Sequence, residues 1–157
     1  MPACDTRLIE GLNEEGETMR RLRQLIEQEQ ALLVAADIDG LTALAEEKAK
    51  IVARMATLAH SRHQLLAAAG FAPSEAGMQS WLDSNAASGA QNLWMEMRAL
   101  VAAAQELNRT NGLLINRHMT RNQNALNVLQ GASQAGGFYG PNGQATQKAA
   151  ARSLVIG

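Results

Sequence analysis

The chain predicts an all-α fold: an elongated antiparallel helical bundle or coiled coil of three long helices and one short helix, ending in a flexible C-terminal tail. Three observations carry that expectation. Ala, Leu, Gln, Glu and Arg dominate the 157 residues, aromatics are only 3%, and there are three Pro, a balance that favours helix over sheet. Apolar residues recur at steps of 3 and 4 over three long stretches, the period of an amphipathic helix. The breaks between those stretches hold the turn and cap residues Asp, Gly, Pro, Ser and Asn.

The first helix is expected to begin at Asp5 or Thr6 as N-cap, with the stripe Leu8, Leu12, Glu15, Met19, Leu22, Ile26, Glu29, Leu33 and Ala36 in a 4-3 rhythm. Gly11 and Gly16 predict fraying of its first turns. Residues 37–40 form a short break, so the second helix should return antiparallel. That helix is expected over 40–69, with Gly70 as the residue that stops it. Its stripe is Leu41, Leu44, Ile51, Met55, Leu58 and Leu65. Lys48 and Arg62 fall near this seam, where long stems can cover apolar surface while the charges reach water. Pro73 and Ser74 suit the opening of a short helix over 74–83, whose face of Met78, Trp81 and Leu82 would plug one end of the bundle. Ser88 is a candidate cap for the last helix.

That last helix, expected over 91–131, organises the chain. Leu93, Met97, Leu100, Ala104 and Leu107 read as core. Beyond them Leu114, Ile115, Met119, Leu126 and Leu129 form a thin stripe crowded by Asn116, Arg117, His118, Arg121, Asn122, Gln123, Asn124 and Asn127. Such a stripe suits contact with a second amphipathic helix, with Met119 as an adaptable contact. Leu114, Ile115, Met119, Asn122, Leu126 and Leu129 are therefore the candidate residues for binding a partner. Asn108 and Asn111 share a face, and a polar residue on a helix seam fixes register. From 132 the composition turns Gly-rich and polar, so 1–131 reads as a helical domain and 132–157 as a flexible tail. Within it, Phe138 and Tyr139 followed by Gly140, Pro141, Asn142 and Gly143 form either a short docking element or an aromatic pair that tucks back onto the bundle.

Charge is uneven. Residues 1–97 hold eight Lys and Arg against fourteen Asp and Glu, and residues 98–157 hold six against one. Packing of an acidic helix on a basic one explains this. A nucleic-acid surface is disfavoured, because the basic residues are thinly spread without interleaved aromatics. No apolar run approaches the roughly 20 residues of a membrane span, so no membrane insertion is expected. The N-terminus lacks a secretory pattern, and the single Cys4 fits a cytoplasmic location. No catalytic residue, cofactor or metal site is expected. The chain has neither phosphate-cradling Gly loop nor nucleophile elbow, and Cys4 has no His near it in sequence. His60 and His63 lie one helical turn apart without a third metal ligand at helical spacing, and read as a surface pair.

Three segments carry a family resemblance. The second helix has Leu44-Ala45-Glu46-Glu47-Lys48, then Arg62-His63-Gln64-Leu65-Leu66 and Gly70. The last helix has Asn108-Arg109-Thr110-Asn111 followed by the aliphatics Leu113, Leu114 and Ile115, and the tail has Tyr139-Gly140-Pro141-Asn142-Gly143. In order and spacing they resemble the FlgN family of flagellar type III export chaperones. The resemblance implies a cytoplasmic, ATP-independent chaperone rather than an enzyme. Its cargo would be the hook–filament junction proteins FlgK and FlgL. Its delivery point would be the export gate protein FlhA, docked through Phe138, Tyr139, Gly140 and Gly143. The rival reading from the residues alone is a structural or regulatory coiled coil that self-associates through the same stripe.

Overall fold

The computed structural model describes residues 3–84 and 89–137, and over these the chain forms four α-helices. They are α1 (Ala3–Ala35), α2 (Ile38–Ala68), α3 (Glu75–Ser84) and α4 (Ala90–Gly137). Contacts divide the chain into two compact units, Met1–Leu114 and Ile115–Gly157.

In the first unit α1 runs up, α2 down, and the first half of α4 up again. The contacts fix this order. Trp81 Nε1 donates to Asp5 Oδ1 at 3.0 Å, Arg20 reaches Glu96, and Asn111 Nδ2 donates to the carbonyl of Ile26 at 3.0 Å. Apolar side chains gather in two clusters along the bundle. At one end Leu8 and Leu12 of α1, Leu66 of α2, Met78, Trp81 and Leu82 of α3, and Ala90, Trp94 and Met97 of α4 share a core. Further along, Met19, Ile26 and Ala104 are buried, with Leu22, Met55, Leu100, Val101 and Leu107 packed around them.

The first core explains why α1 does not fray. The helix is unbroken from Ala3, with Gly11 inside it and Gly16 buried, so the loss of about 1 kcal/mol per Gly is outweighed by the packing of Leu8 and Leu12. Asp5 is not the cap. It lies inside the helix, buried, and accepts from the Trp81 indole. Cys4 is half-buried, its Sγ donating to the carbonyl of Leu65 at 3.4 Å.

The turn from α1 to α2 is tighter than expected. Ala36 takes a left-handed φ of 54°, and the amides of Ala36 and Asp37 return to the carbonyls of Leu33 and Leu32. Asp37 then caps α2, its Oδ1 accepting from the amide of Gly40 at 2.9 Å, so Gly40 stands in the first turn of α2 rather than in the break. At the far end Gly70 (φ 86°) stops α2 with the same motif: its amide meets the Ala67 carbonyl and that of Phe71 meets Leu66. Ser74 caps α3 through Oγ, which accepts from Gly77 at 3.1 Å. Gly77 is required there, because a Cβ would stand 1.7 Å from the Ala72 carbonyl oxygen. The cap expected at Ser88 lies outside the described residues.

Candidate functional site

Two polar layers cross the first unit. In one, Arg62 of α2 is buried, at 6% exposure, and its Nε donates to Glu15 Oε1 of α1 at 2.9 Å. Its Nη2 reaches Glu75 of α3 at 3.2 Å, and its guanidinium lies 4.9 Å from the centre of the Trp94 ring of α4. One side chain thus touches all three other helices. The expectation that Arg62 would send its charge to water is overturned, because Glu15, itself 1% exposed, supplies a partner inside the bundle. Burial pushes the Glu15 carboxyl above its ordinary value, and the nearby Arg62 opposes that shift without cancelling it.

In the second layer Glu29 of α1 accepts from Lys48 of α2 at 3.0 Å and, at 2.9 Å, from Asn111 of α4, which is 1% exposed. Lys48 also reaches Asn108 at 3.3 Å, so it is a bundle residue rather than a solvated charge. Asn111 fixes how α4 registers on α1, the role expected of an Asn on this seam.

Three acidic side chains of α1 find their cations on α2, Glu14 with Arg54, Glu15 with Arg62 and Glu29 with Lys48, while Glu27 pairs with Arg23 on α1 itself. Among the described ion pairs, none joins an acid of α1 to a base of α4, whose Arg109 pairs with Glu106 on its own helix. The charge asymmetry therefore does not arise from α1 packing its acids on a basic α4.

The second unit is described through Gly137 by the rest of α4. Helix continues past Gly131, so the first six residues of the expected tail are helical. From 119 to 133 every residue is exposed. From Ile115 to Leu129 the sequence-predicted residues form a stripe. Ile115 is 43% exposed, Met119 63%, Leu126 52% and Leu129 66%, and Asn122 is also exposed. At about 100° per residue these five positions fall within about 80° of one another. Their steps are 4, 3, 4 and 3, the rhythm of a seam that another helix can fill. Leu114 stands apart: it belongs to the first unit and is half-buried. One flank of the stripe is amide-rich, with Asn116, Gln123, Asn127 and Gln130, of which Gln123 donates to Asn127 at 3.2 Å. The other carries His118 and Arg121. The docking residues Phe138, Tyr139, Gly140 and Gly143 lie outside the described residues.

A feature that residue patterns did not flag is a groove of about 390 Å³ between α2 and the first half of α4, lined by Met55, Ala59, Met97 and Val101 with Glu15 and Arg62. The signal was present as Met55 beside the seam and Arg62 within it, but nothing in spacing alone says where two helices leave a gap. His63 is half-buried, with Nε2 3.9 Å from Glu75, and His60 is exposed. Among the described residues no three His, Cys, Asp or Glu gather to hold a metal ion. No described helix is long and apolar enough to cross a membrane.

Fold and surface define a helical-bundle protein that presents an amphipathic helix with its apolar stripe exposed. The chain belongs to the FlgN family: the family model described as FlgN protein matches residues 1–147. It is 28% identical over 141 residues to a flagella synthesis protein FlgN of Yersinia enterocolitica, covering 88% of this chain and 89% of that one. The same figures hold for the flagella synthesis protein FlgN of a serotype O:8 strain of that species. No solved structure matches the chain.

Proposed function

We propose that this protein is a cytoplasmic chaperone of flagellar type III export. It binds amphipathic terminal helices of the junction proteins FlgK and FlgL, keeps them unassembled and hands them to the export gate. One observation carries the reading: a member of the FlgN family holds Ile115, Met119, Leu126 and Leu129 exposed on one face of a well-formed helix. Four large apolar side chains aligned in water are a standing cost, relieved when a partner helix lies against them. Asn122 and the amide flank keep that surface wetted in the unbound protein.

The test is titration of the purified chain with FlgK and FlgL. Ile115→Asp or Leu126→Asp should reduce affinity by about a hundredfold or more, since a carboxylate sealed against an apolar contact is left unpaired. Helicity should be unchanged, because both side chains are already exposed. Undiminished binding by both folded variants would move the contact elsewhere, the groove beside Met55 and Met97 being the next surface to change. Retention of neither FlgK nor FlgL by the parent chain would end the reading. A dimer dissolved by either substitution would favour self-association.

Delivery is proposed to use the tail. Tyr139 carries a large ring with few rotatable bonds beside the turn residues Pro141, Asn142 and Gly143. Tyr139→Ala should weaken binding to FlhA by about 2 kcal/mol or more while leaving cargo affinity in place. Equal loss of both would show that the two contacts are not separate.

A further inference from the structure

We propose that Asn122 is the specificity-determining residue of the exposed stripe, and that it selects a partner helix whose apolar face is interrupted by one carboxylate. This inference rests on the reading of the stripe as a partner-binding surface and names the chemistry of that partner.

Asn122 is the central residue of five, with Ile115 and Met119 before it and Leu126 and Leu129 after it. An all-apolar stripe would accept any amphipathic helix in several registers. A carboxamide in the middle changes that, because sealing it against a hydrocarbon side chain leaves its donor and acceptor unpaired. A single polar residue at such a position specifies register and partner at a cost in stability.

The protein itself shows what such an Asn takes. Asn111 lies eleven positions earlier, three helical turns, and so falls on the same side of an ideal helix to within about 20°. Its Nδ2 donates both to the main-chain carbonyl of Ile26 and to the Glu29 carboxylate, which stand three residues apart on the facing helix. The partner of Asn111 is thus an aliphatic residue followed three positions later by Glu, within the apolar run Leu22, Ile26, Leu33.

Charge points the same way. Glu106 is the last acidic residue of the chain, and Arg109, Arg117, Arg121, Lys148 and Arg152 follow it. On one flank of the stripe Arg121 precedes Asn122, and His118 stands one turn before it. A carboxylate brought to Asn122 therefore meets no like charge among residues 107–137 of this helix, and has the Arg121 guanidinium beside it. A second copy of the same stripe would instead supply no carboxylate, since none occurs after Glu106.

The experiment uses the full chain and three synthetic amphipathic helices. All carry the same Leu stripe in 4-3 spacing, and they differ at one position, which is Glu, Gln or Leu. The parent chain should bind the Glu peptide about tenfold or more tighter than the Leu peptide, as a hydrogen bond to a charged group requires. Asn122→Leu should reverse that order while far-ultraviolet circular dichroism stays the same. A Gln peptide that binds as tightly as the Glu peptide overturns the proposal. So does a preference for Glu that survives Asn122→Leu, or equal binding of Glu and Leu peptides by the parent chain, and in both cases the stripe still stands as a partner surface. Failure of all three peptides to bind, with FlgK and FlgL also not bound, removes the surface and the proposal together. A parent chain that sediments as a dimer, and as a monomer when Ile115→Asp is introduced, assigns the stripe to a second copy and overturns the proposal as well.

Discussion

Residues 90–114 and 115–133 of one helix are built from the same materials and treated oppositely. In the first stretch Trp94, Met97, Ala104 and Asn111 are all at most 4% exposed. In the second, Ile115, Met119, Leu126 and Leu129 keep between 43% and 66% of their surface in water. Helical spacing of apolar residues therefore reports only that a face is amphipathic. Whether the face is core or contact surface depends on what other helices supply. The polar residues carry the sharper contrast. Asn111 finds the Ile26 carbonyl and Glu29, whereas Asn122 is exposed to solvent.

The contrast can be broken most severely at the buried charge. Arg62→Met leaves Glu15 and Trp94 in place and strips the carboxylate of its cation. Denaturant unfolding should show a loss of about 3–5 kcal/mol. No exposed residue of 115–133 should approach that.

Gly77→Ala comes next. Its new Cβ cannot coexist with the Ala72 carbonyl, so the start of α3 must shift and the seating of Met78 and Trp81 suffers. A loss of about 1–3 kcal/mol is expected, read from the same unfolding curves.

The paired asparagines sharpen the comparison directly. Asn111→Ala should cost about 1–3 kcal/mol, because Glu29 loses a buried donor. Asn122→Ala should stay within about 0.5 kcal/mol in the free protein. Equal effects on thermal stability would mean that the second stretch is as well packed as the first.

A pH series isolates the first polar layer. The Glu15 carboxyl is raised above its ordinary value of 4.5, chiefly by burial. A group raised on folding contributes stability below its unfolded value and loses that contribution as pH rises through its folded one. Glu15→Gln removes this titration. The stability of the variant relative to the parent should therefore improve as pH rises above about 4.5. An unchanged difference between pH 4 and pH 7 would show that Glu15 titrates normally.

A small gain is expected at Ala36, which ends α1 in a left-handed conformation that L-residues adopt at a cost. Ala36→Gly should stabilise the first unit by up to about 1 kcal/mol, the relief of strain being partly offset by added freedom of the unfolded chain.

Helix number, helix type and the stop at Gly70 were legible along the chain, because period, capping residues and Gly act within a few positions of themselves. Met78, Trp81 and Leu82 declared an end-plug for the same reason, since three large side chains on one face of a short helix must be buried somewhere. The stripe of Ile115, Met119, Leu126 and Leu129 could also be read in outline, through the crowding of polar residues around it. Ala36 shows where local reading stops. It ends α1 with the motif that Gly70 uses for α2, but Ala carries no signal for a left-handed φ, and the capped return at Asp37 imposes it.

Tertiary structure alone decided the fate of the polar residues. Glu15, Lys48, Arg62 and Asn111 look alike in sequence: hydrophilic residues on or near a seam. Burial of such a group is unfavourable unless a partner from another helix arrives within hydrogen-bond distance, and no residue can announce a partner 47 or 82 positions away. For the same reason Leu107 packs on a core while Leu126, in the same helix, is exposed. Composition and period set which side chains prefer to leave water. Only the meeting of distant helices sets which of them do.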